Sequence, residues 1–175
     1  NFEAAKESFL AGEAADSDYC FPNRVEEIAI LEAAVAMLDT APMAHYYLGN
    51  LFYDKKQYGA ATKHWEKAVS EKDSLAMAYR NLSIAYFNKE HDGETAIPAM
   101  ENAFEVDGAY PRFLLEYDQL AAKLNRSNET RLATLEAHKK LVRARDDLYL
   151  RYITLLNCMG RYEEALGALQ NHRFH

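Results

Sequence analysis

The sequence predicts an all-α protein, a right-handed α-solenoid of about five helical hairpins, and three observations carry that expectation. The first is a constant step: Ala61, Ala96, Arg131 and Ala165 follow one another at 35, 35 and 34 residues. A separate register, Leu48, Leu82, Tyr117 and Tyr152, steps by 34, 35 and 35. Self-similarity at such a period marks stacked supersecondary units. The second observation is helical periodicity inside each copy. Tyr47, Leu48, Leu51 and Phe52 recur at helical spacing, as do Leu82, Ala85 and Tyr86, and then Ala61, Trp65, Ala68 and Val69. The third is the punctuation between halves by short polar stretches such as Asp54–Gln57 and Asn88–Gly93. Each half holds about 14 residues, or ~21 Å of helix at 1.5 Å per residue.

Small residues let the paired helices approach. Gly49 and Ser83 stand on first helices, while Ala61 and Ala96 take the tight position on second helices; Phe52, Tyr86, Trp65 and Leu135 fill the remaining space. One such hairpin cannot bury its apolar stripe alone, so stacked copies must bury one another's.

Taken element by element, residues 1–40 form an atypical leading hairpin. Phe2–Phe9 reads as one helix and Val25–Leu38 as the next, with Pro22 suited to a first helical turn. The linker between them, Asp16–Asn23, is long. Four copies follow, at 42–75, 76–110, 111–145 and 146–175, giving ten helices in one domain. The second copy carries one extra residue, placed at the Asp92-Gly93 turn. Pro98 falls early in a helix, which therefore either starts late, near Thr95, or is kinked. The third copy departs most, because Arg131 replaces alanine and its helices are expected to pack further apart.

The run Tyr47-Leu48-Gly49-x-x-Phe52 with Ala61, Trp65 and Ala68 resembles the tetratricopeptide repeat, whose pattern is Leu-Gly, an aromatic, Ala, an aromatic and Ala. Tyr79, Leu82, Ser83, Tyr86, Ala96, Met100 and Ala103 form a second copy, and Gly160-Arg161-Tyr162-Glu163-Glu164-Ala165-Leu166 matches the family's inter-helix turn. The resemblance covers residues 42–172. Two shorter stretches, Asp16–Arg24 and His172–His175, are similar to segments of large bacterial proteins that join an N-terminal, carbohydrate-enzyme-like β-sandwich to C-terminal repeats. That resemblance implies a fragment of a longer protein, as does a start at Asn1-Phe2 without methionine or signal pattern.

The resemblance implies a non-catalytic scaffold that binds a peptide or protein in a concave groove lined by the first helices. The groove residues are Tyr46, Asn50, Tyr53, Arg80, Asn81, Ile84, Phe87, Asn88 and Arg112, followed by Glu116, Gln119, Arg151 and Thr154. Aromatic rings with amides and arginines supply contact area at little entropic cost. Asn50, Asn81 and Arg112 also occupy three positions of the family's carboxylate clamp. Tyr46 replaces a basic residue of that clamp, however, and Glu116 would repel a carboxylate. The alternative is a structural role, docking on a domain of the same polypeptide or self-association.

Composition narrows the remaining classes. The net charge of −7, from 20 basic and 27 acidic residues, disfavours nucleic acid. Mean hydropathy is −0.41 and no apolar run reaches the ~20 residues of a membrane span, so no membrane partner is expected. Cys20 and Cys158 read as reduced thiols of a cytoplasmic protein rather than a disulfide framework. No cofactor or metal is expected: the six histidines form no His-Glu-x-x-His pattern, and His172 with His175 lacks a third ligand. Catalysis is not expected either. Glu26-Glu27, Asp146-Asp147 and Glu163-Glu164 are sequence neighbours that diverge by ~100° on a helix, and no phosphate loop or nucleophile elbow occurs.

Overall fold

A computed structural model describes residues 2–15 and 20–174. Among them every regular element is helical: α1 (Phe2–Ala14), α2 (Val25–Met37), α3 (Pro42–Asp54), α4 (Tyr58–Glu71), α5 (Ala76–Ala85), α6 (Gly93–Val106), α7 (Pro111–Lys123), α8 (Asn128–Ala137), α9 (Lys139–Arg143), α10 (Asp146–Cys158) and α11 (Tyr162–Gln170). The chain divides into two compact units, Asn1–Ala99 and Met100–His175, with α6 running through the division. No described helix is long and apolar enough to cross a membrane. The first half of the linker Asp16–Asn23, residues 16–19, lies outside the described residues, as does the last residue of the His172–His175 stretch.

In the first unit, carboxylates satisfy helix starts that lack a local cap. Glu13 on α1 accepts the N–H groups of Met43 and Ala44, each at 2.8 Å, and Glu71 on α4 accepts the N–H of Ala41 at 2.8 Å. Both relieve orphan donors at the N-terminus of α3, where negative charge is favoured. Pro42 opens α3 at no donor cost. Pro22, by contrast, precedes α2 rather than sitting in its first turn. That start is fixed instead by Glu27, whose Oε2 accepts from Asn23 and Arg24 at 2.7 and 2.8 Å.

The apolar stripes close as the small residues require. Ala61, Trp65, Leu82, Ala85 and Ala99 form one buried cluster, with Tyr46, Phe52, Tyr53 and Tyr86 packed against it. A Cβ built at Gly49 would stand 2.4 Å from Trp65 Cδ1 and Nε1, so only glycine lets α3 pass the indole. Ser83, one repeat later, donates its Oγ–H to Ala96 O at 2.7 Å in the interior.

The turn inside each of the four copies after the leading hairpin holds one residue in the left-handed conformation: Lys56 (φ 62°), His91 (φ 57°), Asn125 (φ 56°) and Gly160 (φ 74°). Gln57, Arg126 and Arg161 N–H groups reach back five residues, to Phe52, Ala121 and Leu156 O. Asp92 N–H reaches back six, to Tyr86 O. The extra residue of the second copy is therefore absorbed before the Asp92-Gly93 turn, in a π-turn over Tyr86–Glu90. Helix α6 then begins at Gly93, ahead of Thr95, and runs through Pro98. Left-handed lysine carries a Cβ penalty that glycine lacks. Lys56→Gly is accordingly expected to raise the stability of the first unit by a net ~0.5–1 kcal/mol, read from urea unfolding.

His45 and His64 face each other between α3 and α4, their Nδ1 atoms 2.9 Å apart, with Phe52 stacked on His64 at 5.3 Å. One ring must donate and the other accept. Burial holds both imidazoles below the ordinary range; the charge of His45 adds to this at His64, while Glu71 and Glu13 oppose it at His45 and Lys67 adds to it. Below about pH 6.5 the folded chain thus binds fewer protons than the unfolded chain. Stability present above that pH is lost as pH falls. The melting temperature should drop from about pH 7 to about pH 5, and His64→Leu should flatten that drop.

The second unit packs Leu114, Leu115, Leu132, Leu135, Val142, Leu148, Leu155, Leu156 and Ala165 into one core. Here the second half of the third copy is broken into α8 and α9, so the described residues hold eleven α-helices where ten helices were expected. His138 Nδ1 donates to Thr134 O at 2.9 Å, taking the carbonyl that its own backbone N–H would use, and that N–H bonds Leu135 O instead. Arg131 reaches across to α7, where Nε and Nη2 donate to the Asp118 carboxylate at 2.8 and 3.1 Å. Asp118 occupies the register of Gly49 and Ser83, and Arg131 that of Ala61 and Ala96. A buried ion pair therefore replaces the small–small contact of the first two copies. Arg151 of α10 donates to the same carboxylate.

Candidate functional site

Five of the groove residues meet in the first unit. Asn50 and Tyr53 project from α3, and Arg80, Asn81 and Ile84 from α5; with Trp65 of α4 they line a concavity of about 200 Å³. Helical spacing explains the grouping, because Asn50–Tyr53 and Arg80–Ile84 are separated by one turn on adjacent first helices. Trp65 was read from sequence only as core filling. An indole N–H seldom goes unpaired when buried, and that need was the signal for its second role.

The hydrogen bonds run in one direction. Trp65 Nε1 can only donate, and it donates to Asn50 Oδ1 at 3.1 Å. Asn81 Nδ2 donates to the same oxygen at 3.1 Å. Arg80 Nη1 in turn donates to Asn81 Oδ1 at 3.4 Å, a long contact. The indole thereby fixes the Asn50 amide with its oxygen inward and its Nδ2 hydrogens uncommitted among the described residues. The wall offers amide N–H donors beside apolar Tyr53 and Ile84. Its chemical complement is a hydrogen-bond acceptor attached to an apolar group.

The other residues lie elsewhere. Tyr46 packs on the Trp65 cluster and meets Tyr47 ring to ring at 5.4 Å. Phe87, half-buried, and Asn88, exposed, belong to the π-turn segment. Arg112 is in the second unit, exposed, and its Nε donates to Glu116 Oε1 at 2.8 Å; that carboxylate raises the Arg112 pKa above its usual value. Arg112 thus spends its charge inside α7. No group of three or more His, Cys, Asp or Glu among the described residues is arranged to hold a metal ion.

No protein-family model matches the sequence. Solved structures do. YrrB, described as a TPR protein with an unusual peptide-binding site, is 19% identical, with 83% of this chain and 74% of that one aligned at a TM-score of 0.63. A MamA from Desulfovibrio magneticus RS-1 is 22% identical over 83% of this chain and 78% of that one, with a TM-score of 0.58. MamA AMB-1 is 14% identical over 95% and 94%, with a TM-score of 0.62. Together with the all-helical elements and the 34–35-residue step, these likenesses show that the chain has the tetratricopeptide-repeat fold.

Proposed function

We propose that this protein is a non-catalytic interaction scaffold that binds a peptide segment of a partner at the concavity around Trp65. The observation that carries the reading is the one-way hydrogen-bond chain, which leaves the Asn50 amide presenting its Nδ2 hydrogens. Extended peptides offer carbonyl acceptors flanked by apolar side chains, which Tyr53 and Ile84 are placed to cover. The peptide-binding site described for YrrB, a neighbour in fold, agrees in kind. Panning a random peptide display library tests it. Enriched peptides should bind the wild type and lose about ten-fold or more in affinity, ~1.4 kcal/mol, to Asn81→Ala/Ile84→Ala at an unchanged fold. Failure to enrich any peptide, or equal binding by both proteins, contradicts the reading.

A second reading, self-association, is favoured by α11. Tyr162, Leu166 and Leu169 are 66%, 55% and 47% exposed. The repeat step matches Leu166 and Leu169 to Thr62 and Trp65, which are 5% and 2% exposed beneath the following hairpin of the first unit. A second copy's helix placed on α11 would cover the same positions. Sedimentation of Leu166→Lys/Leu169→Lys beside the wild type separates this reading from the first.

A further inference from the structure

A second concavity lies outside the groove, in the second unit. It has a volume of about 380 Å³ and is formed by α9, α10, α11 and the residues after α11. That size falls in the ~300–1,000 Å³ range of small-ligand sites. Its rim carries Lys139 and Arg143, one helical turn apart on α9 and exposed. Neither forms an ion pair among the described residues. Lys139 is felt only at a distance by Glu164, which is held by Arg161. In a chain of net charge −7, two neighbouring unneutralised cations over a cavity are an imbalance in search of an anion.

The walls complete the chemistry. Tyr152 and the His172 ring supply aromatic surface, while Tyr149 beneath them is buried in the core. His172 stacks on Tyr149 with ring centroids 4.0 Å apart, and Nε2 of His172 meets Asp146 Oδ1 at 2.9 Å, so the nearby acid is already engaged. Tyr149 donates its hydroxyl to Ala168 O at 3.2 Å, which fixes the ring on which His172 stacks. Gly167 lines the cavity, and a Cβ built there meets nothing within 4 Å, so the floor is open at that point.

We propose that this cavity binds a carboxylate-bearing ligand, the carboxylate between Lys139 and Arg143 and the carbon body against Tyr152 and His172. Arginine takes a carboxylate in a planar fork, and lysine adds a point charge. The site is separate from the groove of the proposed function and does not depend on it. The carboxylate can come from a small organic acid or from an acidic peptide side chain, and the test distinguishes them.

Isothermal titration of the whole chain with phenylacetate, and separately with acetyl-Glu-Phe-Glu-amide, provides that test. At least one probe should saturate a single site at millimolar concentration and weaken as salt is raised. Phenylacetate binding alone assigns the site to small acids; binding of the peptide assigns it to acidic segments. Affinity should fall about ten-fold or more in Lys139→Gln/Arg143→Gln, and equally in Gly167→Leu, which fills the floor. Gly167→Leu also replaces a poor helix former inside α11, so the fold is retained. Saturation by neither probe overturns the proposal, as does binding that either variant leaves unchanged.

Discussion

Asp118→Ala is expected to destabilise the protein by about 3–5 kcal/mol, because it strands the guanidinium of Arg131 in the interior of the second unit. Asp118 is buried, and Arg131 is nearly so, held by two hydrogen bonds to the carboxylate. Arg151 shares that carboxylate but is more exposed, and it can turn to water. The informative control is the double variant Asp118→Ser/Arg131→Ala. It recreates the Ser83 and Ala96 pair of the second copy at the same register. If the ion pair simply substitutes for small residues, the double variant should recover most of the loss, since apolar or small replacements of a buried pair are often neutral. Urea unfolding of the wild type, Asp118→Ser, Arg131→Ala and the double variant supplies the cycle. Additive single effects would show that the two residues do not act as a unit.

Trp65→Ala is expected to cost about 3–5 kcal/mol, a value ordinary for a large buried aromatic. Trp65 touches Tyr53 at 5.4 Å between ring centroids, fills the space that Gly49 leaves, and binds Asn50. Gly49→Ala should cost on the order of 1–3 kcal/mol by driving its methyl group into the indole. The two effects share one volume. In Gly49→Ala/Trp65→Ala the methyl group meets open space, so the pair should cost less than the sum of the singles. Loss of Trp65 also releases the Asn50 amide, whose oxygen no longer has its obligate donor. Peptide binding should therefore fall together with stability in Trp65→Ala, whereas Asn81→Ala/Ile84→Ala should separate them.

The repeat itself was legible because two unrelated residue series kept the same step, and no accident of composition does that. Gly49 and Ala61 were readable as close-approach positions for the same reason. Asp118 was not, since a lone aspartate in a helix reads as a solvated charge. Its meaning appears only once the register aligns it with Gly49 and Ser83 and places Arg131 opposite. The π-turn was half visible: the extra residue of the second copy was evident, but its location depends on which carbonyl closes the turn. His138 broke a helix through a side-chain bond to Thr134 O, which propensity does not encode. In the site, helical spacing grouped Asn50, Tyr53, Arg80, Asn81 and Ile84. The direction of the amides was hidden, because it is set by Trp65, a residue whose spacing marks it as core. The cavity beside Lys139 and Arg143 was invisible for another reason: it is formed where three helices and the segment after α11 meet, not along any one periodic face.

The chain contains one tryptophan, so its indole N–H gives a single, assignable resonance. Titrating a panned peptide into isotope-labelled protein while following that resonance and the side-chain amides of Asn50 and Asn81 tests the donor-lined wall most directly. The account predicts that all three signals shift together along one saturation curve, with the largest change at the Asn50 amide. Saturable binding that leaves these three signals in place would contradict it.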